Sequence, residues 1–155
     1  MMTSRSFDFT FTVGAPLAAV AAFHHDTRAL TRLTPPPIFV QLHRTEPLAE
    51  GSVAEFTLWF GPLPVRWIAV HSAVDALHGF SDAQRSGPMK LWKHTHRFDA
   101  TDANTTRVSE HIEYAHHSDW RGLFSRLLFN TVALRLLFFY RGLVTRFMLE
   151  SSPRR

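Results

Sequence analysis

The chain has 155 residues, enough for one domain of ordinary size, and 45% of them are hydrophobic, enough to bury a core. Its formal net charge is +4, spread thinly apart from Pro153-Arg154-Arg155, with no basic run or aromatic–basic stripe of the kind that binds nucleic acid. The absence of cysteine excludes disulfides, thiol catalysis and Cys-ligated zinc, and fits a cytoplasmic protein.

From Met1 to Phe11 there is no apolar stretch of the kind a secretory leader needs. Phe7, Phe9 and Phe11 alternate instead with Asp8, Thr10 and Thr12, the period of a strand with one apolar face. Gly14-Ala15-Pro16 breaks it, and Pro16 suits the first turn of a short Ala-rich helix over residues 17–24. Asp26 or Thr27 can cap a second short helix through Leu33, which Thr34-Pro35-Pro36-Pro37 ends.

Strands and Gly/Pro turns then alternate to about residue 114. The strands fall at 38–44, 53–60, 65–76, 80–85, 90–99 and 105–114. Strands that follow one another this closely pair antiparallel. The last element reads as one helix from about 120 to 150, roughly 45 Å long at 1.5 Å per residue. Leu123, Leu127, Leu134, Phe138 and Leu143 recur in it at helical spacing. No segment offers the ~18 uninterrupted apolar residues of a membrane span. Arg126, Asn130, Arg135, Arg141 and Arg146 disfavour a crossing, while transient membrane contact stays open.

The expected architecture is a single α+β domain over residues 1–155. A curved antiparallel sheet of about seven strands wraps a long C-terminal helix, with two short helices after the first strand. One helix cannot fill the concave face of such a sheet, so a cavity is expected between them.

Chemistry concentrates in residues 82–98. Trp92, His94, His96 and Phe98 are spaced by two and share the inner face of a strand, while Lys93 and Arg97 face water. Val108, Glu110, Ile112 and Tyr114 share a face of the next strand. A turn at 102–104 pairs the two strands and sets Glu110 opposite His94 or His96. A carboxylate beside an imidazole raises its pKa and orients it, which serves acid–base catalysis or a buried ion pair. The sequence offers no nucleophile or oxyanion hole beside these candidates. His-x-His with Glu110 also has the makings of a metal site, but the spacing is common by chance in a chain with ten histidines, and neither a metal nor another cofactor is expected.

Asp82 and Gln84 precede Gly87-Pro88 and serve either the turn or the polar rim of a pocket. His24-His25 and His116-His117 lie near element ends and are expected on surface loops. Trp59, Leu127, Thr131 and Phe138 are core residues or pocket walls, and an exposed Phe138-Phe139 pair would instead favour an interfacial helix. The expected ligand-binding set is thus Trp92, His94, His96, Phe98, Glu110 and Tyr114, with Asp82, Gln84, Trp59, Leu127, Thr131 and Phe138 around them.

Several of these residues carry a family resemblance. Thr34-Pro35-Pro36 follows the short helices. Asp82, Gln84, Gly87 and Pro88 lead into Trp92, His94, His96 and Phe98. Glu110 and Tyr114 lie on a later strand, and Arg141 follows Phe139-Tyr140. In these, over about residues 5–150, the chain resembles the START-like or SRPBCC superfamily, most of all its small bacterial ligand-binding proteins labelled polyketide cyclase/dehydrase. The resemblance implies a helix-grip fold with a deep hydrophobic cavity. It does not imply one reaction, because such proteins bind sterols, phospholipids, hormones and polyketides, and only some catalyse. The expected function is binding of a hydrophobic small molecule or lipid, as a carrier or sensor. The alternative is a cyclase or dehydratase using His94 or His96 as acid–base with Glu110. No nucleic acid and no particular oligomer is implied.

Overall fold

A computed structural model describes residues 4–151. The chain opens with β1 (Arg5–Val13), whose Phe7, Phe11 and Val13 are buried between exposed polar neighbours. Pro16 starts α1 (Leu17–His25), which buries Val20, Ala21 and His24 along one side. Asp26 then accepts a hydrogen bond from the Arg28 amide at 3.0 Å and turns the chain into α2 (Ala29–Arg32). The Thr34 hydroxyl donates to the Leu30 carbonyl at 2.8 Å, and the proline run carries the chain to the sheet.

The remaining strands are β2 (Phe39–Thr45), β3 (Val53–Phe60), β4 (Leu63–Asp75), β5 (Gly79–Ser86), β6 (Leu91–Asp102) and β7 (Thr105–Ala115). With β1 they form one seven-stranded antiparallel sheet in the order β1-β7-β6-β5-β4-β3-β2. The register sets Asp82 beside His94 and Phe80 beside His96 across β5 and β6. It also sets His96 beside Glu110 and Trp92 beside Tyr114 across β6 and β7. Strand parity then points these side chains to one concave face. Lys93 and Arg97 are exposed on the other.

The long helix expected over 120–150 is two helices, α3 (Trp120–Leu128) and α4 (Thr131–Glu150). Asn130 is extended and its side-chain oxygen accepts from the Ala133 amide at 2.9 Å, an N-cap that restarts the helix. The break lets Phe129 turn inward, with ring centroids 5.7 Å from Trp67 and 6.1 Å from Trp92. Core packing and a cap thus outweigh the absence of proline that suggested one helix.

Helix α4 covers the concave face with Leu134, Phe138, Gly142 and Thr145. Polar ties fix it along its second half. Arg141 Nε donates to the Leu33 carbonyl, Arg146 Nε to the Thr12 carbonyl, and the Gly14 amide to Glu150 Oε1, at 3.2, 2.8 and 2.7 Å.

Gly79 sets how closely β5 approaches β6. Its φ is +135°, and a Cβ there would lie 1.9 Å from the His96 carbonyl oxygen. Gly79→Ala is therefore expected to lower the unfolding free energy by about 1–3 kcal/mol. Urea denaturation checks this, and an unchanged midpoint would contradict the β5–β6 register.

Candidate functional site

Four titratable side chains close into a ring on the concave floor. His94 Nε2 lies 2.7 Å from Glu110 Oε2, and His96 Nδ1 lies 2.9 Å from the same oxygen. Asp82 Oδ2 closes the other side, 3.2 Å from His96 Nε2 and 3.5 Å from His94 Nδ1. Glu110 therefore meets both histidines rather than one of them. Its side chain is only 2% exposed, so the ring holds this carboxylate almost without water, while Asp82 is partly open at 18%.

Burial and neighbouring charges decide where the protons sit. Burial pushes His96 down, but the Glu110 and Asp82 carboxylates outweigh it and raise its pKa to about 9. His96 is thus an imidazolium near neutral pH. For His94, burial and the neighbouring His96 charge win over the carboxylates and lower the pKa. A neutral His94 that donates Nε2–H to Glu110 has a lone pair on Nδ1. That lone pair explains the longer 3.5 Å separation from Asp82. Burial opposes the charge of Glu110, yet the two histidines hold its carboxyl well below the usual range. The Asp82 carboxyl is lowered against burial mainly by its His96 hydrogen bond.

Rings enclose the cluster. Phe80 stacks on His96 with centroids 4.3 Å apart, and Phe138 meets His94 edge-on at 5.3 Å. His24 enters from α1, 5.1 Å from Phe98 and 6.3 Å from His96. This corrects the expectation that His24-His25 is a surface pair. His24 is 8% exposed, and His25 is half-buried against Phe80. Burial lowers the His24 pKa to about 3, so it stays neutral. The signal was present in the sequence, because Val20, Ala21 and His24 share one helical face. His116 also leaves the loop surface, hydrogen-bonding Ser125 Oγ through Nδ1 at 2.8 Å.

Two of the enclosed nitrogens, His24 Nε2 and His96 Nδ1, make no hydrogen bond among the described residues; the Glu110 oxygen is near His96 Nδ1 but out of line. A divalent cation has two candidate donor sets here, His24, His96 and Glu110 or Asp82, His94 and His96, each with its ligand atoms within 4.8 Å of one another. Both sets use His96, so an ion would displace its proton.

The other expected residues fall in different places. Trp92, Phe98, Tyr114 and Phe138 are buried beside the ring. Gln84 clasps the turn instead. Its side-chain nitrogen donates to the Met89 carbonyl at 2.8 Å and its oxygen accepts from the Met89 amide at 3.1 Å. Trp59 has the opposite parity to inward Phe56 and donates Nε1–H to Gln41 Oε1 at 3.0 Å, on the convex side. Leu127 is 71% exposed, and Thr131 lies at the exposed start of α4, 3.5 Å from the Tyr114 hydroxyl.

A cavity of about 360 Å³ opens between the α3–α4 junction, the segment 34–38 and the end of β3. Leu58, Phe60, Leu128, Phe129, Leu137 and Arg141 are among its walls, and none of the residues expected to bind a ligand is. Arg141 joins the cavity to the ring. Its guanidinium lies 5.0 Å over the Phe138 ring centroid. Burial lowers its pKa while the Glu110 and Asp82 charges raise it. Two carboxylates thus face one imidazolium and one guanidinium, a balanced set.

No protein-family model matches the chain, and no curated protein sequence matches it. Solved structures do match its fold. The Zhui aromatase/cyclase from Streptomyces sp. R1128 has a TM-score of 0.78 at 14% identity, covering 98% of this chain and 97% of that one. The chain adopts the helix-grip fold. Two other helix-grip structures repeat the match. Norcoclaurine synthase from Thalictrum flavum, in complex with dopamine and hydroxybenzaldehyde, has a TM-score of 0.71 at 15% identity, covering 99% of this chain and 91% of that one. Protein CV1439 from Chromobacterium violaceum has a TM-score of 0.76 at 10% identity, covering 95% and 99%. At these identities the helix-grip likeness concerns the backbone, and residue roles must come from this chain's own geometry.

The shifted histidines predict a maximum of stability near pH 6.5. His24 is neutral when folded and ordinarily titrates at 6.5, so below that pH the unfolded chain binds the extra proton and stability falls. His96 titrates at about 9 when folded, so its stabilisation is full below 6.5 and is lost as pH rises through 9. Thermal unfolding across pH checks both limbs. His24→Leu is expected to make the acid limb shallower, and an unchanged acid limb would contradict the burial of a neutral imidazole.

Proposed function

We propose that the protein is a binding module for an apolar small molecule or lipid chain whose polar end is a neutral hydrogen-bond acceptor. The observation that carries this reading is the 360 Å³ cavity, whose walls are apolar apart from Thr34 and Arg141. Thr34 already donates to Leu30, so Arg141 is the group left to meet a ligand. Its Nε is committed to the Leu33 carbonyl, and its terminal nitrogens make no hydrogen bond among the described residues. A preorganised guanidinium loses little freedom when it binds.

The charge balance selects the polar end. Asp82, Glu110, His96 and Arg141 already sum to zero, so a bound carboxylate would bring an uncompensated charge into a poorly hydrated site. A carbonyl accepts from Arg141 without that cost. The apolar remainder gains about 25 cal/mol for each Å² removed from water.

Prodan, a neutral aromatic ketone whose emission reports polarity, tests the reading. Wild-type protein is expected to bind it with a blue shift. Ala133→Trp, which fills the cavity from α4, is expected to weaken binding at least tenfold, about 1.4 kcal/mol. Arg141→Met is expected to weaken it less. Equal affinity in Ala133→Trp would remove the cavity as the site.

The ring supports a second reading, a cyclase- or dehydratase-type enzyme in which His94 or His96 exchanges a proton with a polyketide-like substrate. Clusters of strongly shifted groups are frequent at catalytic sites. This reading requires the substrate to reach beneath Phe138. It expects turnover that His96→Gln abolishes while Prodan affinity is kept, and turnover unchanged in that variant would remove His96 as the catalyst.

A further inference from the structure

The outer face of α3 and α4 is apolar where a protein surface is normally polar. On α3, Trp120, Leu123 and Leu127 are each more than 70% exposed. On α4, Val132, Leu136, Phe139, Leu143 and Phe147 are 47–71% exposed. Their spacing of three and four residues within each helix puts them in one stripe on α3 and one on α4. Phe138 is fully buried, so only Phe139 of that pair belongs to it. The stripe on α4 runs about 22 Å along the helix at 1.5 Å per residue. Single exposed apolar residues are ordinary on proteins, but a contiguous row of this length marks an interaction surface.

The charges name the partner. Helices α3 and α4 carry five arginines, of which Arg141 faces the cavity, and one acidic residue, the terminal Glu150, which accepts from the Gly14 amide. Arg121, Arg126 and Arg135 are exposed on these helices, and Arg146 is half-buried. We propose that the α3–α4 stripe docks on an anionic lipid surface, its apolar residues entering the headgroup region and its arginines meeting lipid phosphates. A second copy of this chain fits worse, because a two-fold pairing brings together two copies of the same arginine-bearing surface. A membrane crossing fits worse too. The most apolar window of Trp120–Glu150 has a mean hydropathy of 1.5, but the opposite face of α4 is the protein core. An amphipathic helix with a cationic flank lies in the interface plane.

Leu136 belongs both to the stripe and to the cavity wall. Docking would therefore bring the cavity against the bilayer, where an apolar ligand could transfer without crossing water. That consequence rests on the binding function proposed above, whereas docking itself does not.

Vesicle flotation with the full chain tests the docking. The protein is expected to float with vesicles of phosphatidylcholine and phosphatidylglycerol, to float poorly with phosphatidylcholine alone, and to be partly released by salt. A Leu127→Ser, Leu136→Ser, Phe147→Ser triple variant is expected to reduce the bound fraction at least tenfold with its unfolding temperature unchanged. These side chains are exposed, so the fold does not depend on them. Wild-type protein that binds neither vesicle, or a variant that floats as well as wild type, would overturn the proposal. A dimer in solution that the same variant dissociates would also overturn it, assigning the stripe to a second copy. Loss of Prodan binding in Ala133→Trp with flotation intact would separate the cavity from the docking surface.

Discussion

One carboxylate oxygen, Glu110 Oε2, meets two imidazoles at 2.7 and 2.9 Å on the floor of the sheet. Much of the interior depends on it. Asp82 on β5, both histidines on β6 and Glu110 on β7 form the ring, so it ties three neighbouring strands together. Buried ion pairs commonly contribute little net stability, because desolvation offsets attraction. Their effect is on arrangement, since any slip of register would leave a charge buried alone. The ring carries one negative charge in excess, and Arg141 supplies the balancing cation from α4. Helix and sheet are therefore matched electrostatically as well as by Phe138 packing on Phe7 and His94.

The same arrangement decides where space is left. Phe138 and Phe129 fill the middle of the concave face against the ring and the tryptophans. Room remains toward the α3–α4 break and the proline turn, where the sheet ends in β3 and β2. The cavity thus lies beside the polar ring rather than over it, and Arg141 is the cavity-wall side chain whose charge the ring carboxylates feel. Helix α4 consequently has three different faces. One closes the core, one borders the cavity and one presents apolar groups outward.

The fold was legible because alternation and turn chemistry suffice for an antiparallel sheet. Phe7, Phe9 and Phe11 marked β1, and the parity of Trp92, His94, His96 and Phe98 placed the inner face of β6. The pairing of Glu110 with both histidines needed register, which a sequence pattern leaves one choice short. Trp59 shows the limit of reading residue type without parity, since it lies one position from inward Leu58 and Phe60 and faces the other way. The break at Asn130 was hidden because its capping role depends on Phe129 turning inward. His24 was legible in principle from its helical spacing, but its type suggested water. The cavity was the least legible feature, because its walls come from four separate segments and their spacing is set by packing.

A crystal structure with a brominated acetonaphthone tests the binding account most directly. The account predicts one anomalous bromine peak between α4 and the segment 34–38, with the ketone oxygen within hydrogen-bond distance of Arg141. A peak among Asp82, His94, His96 and Glu110 would move function to the ring, and no ordered bromine anywhere in the interior would contradict the cavity as a ligand site.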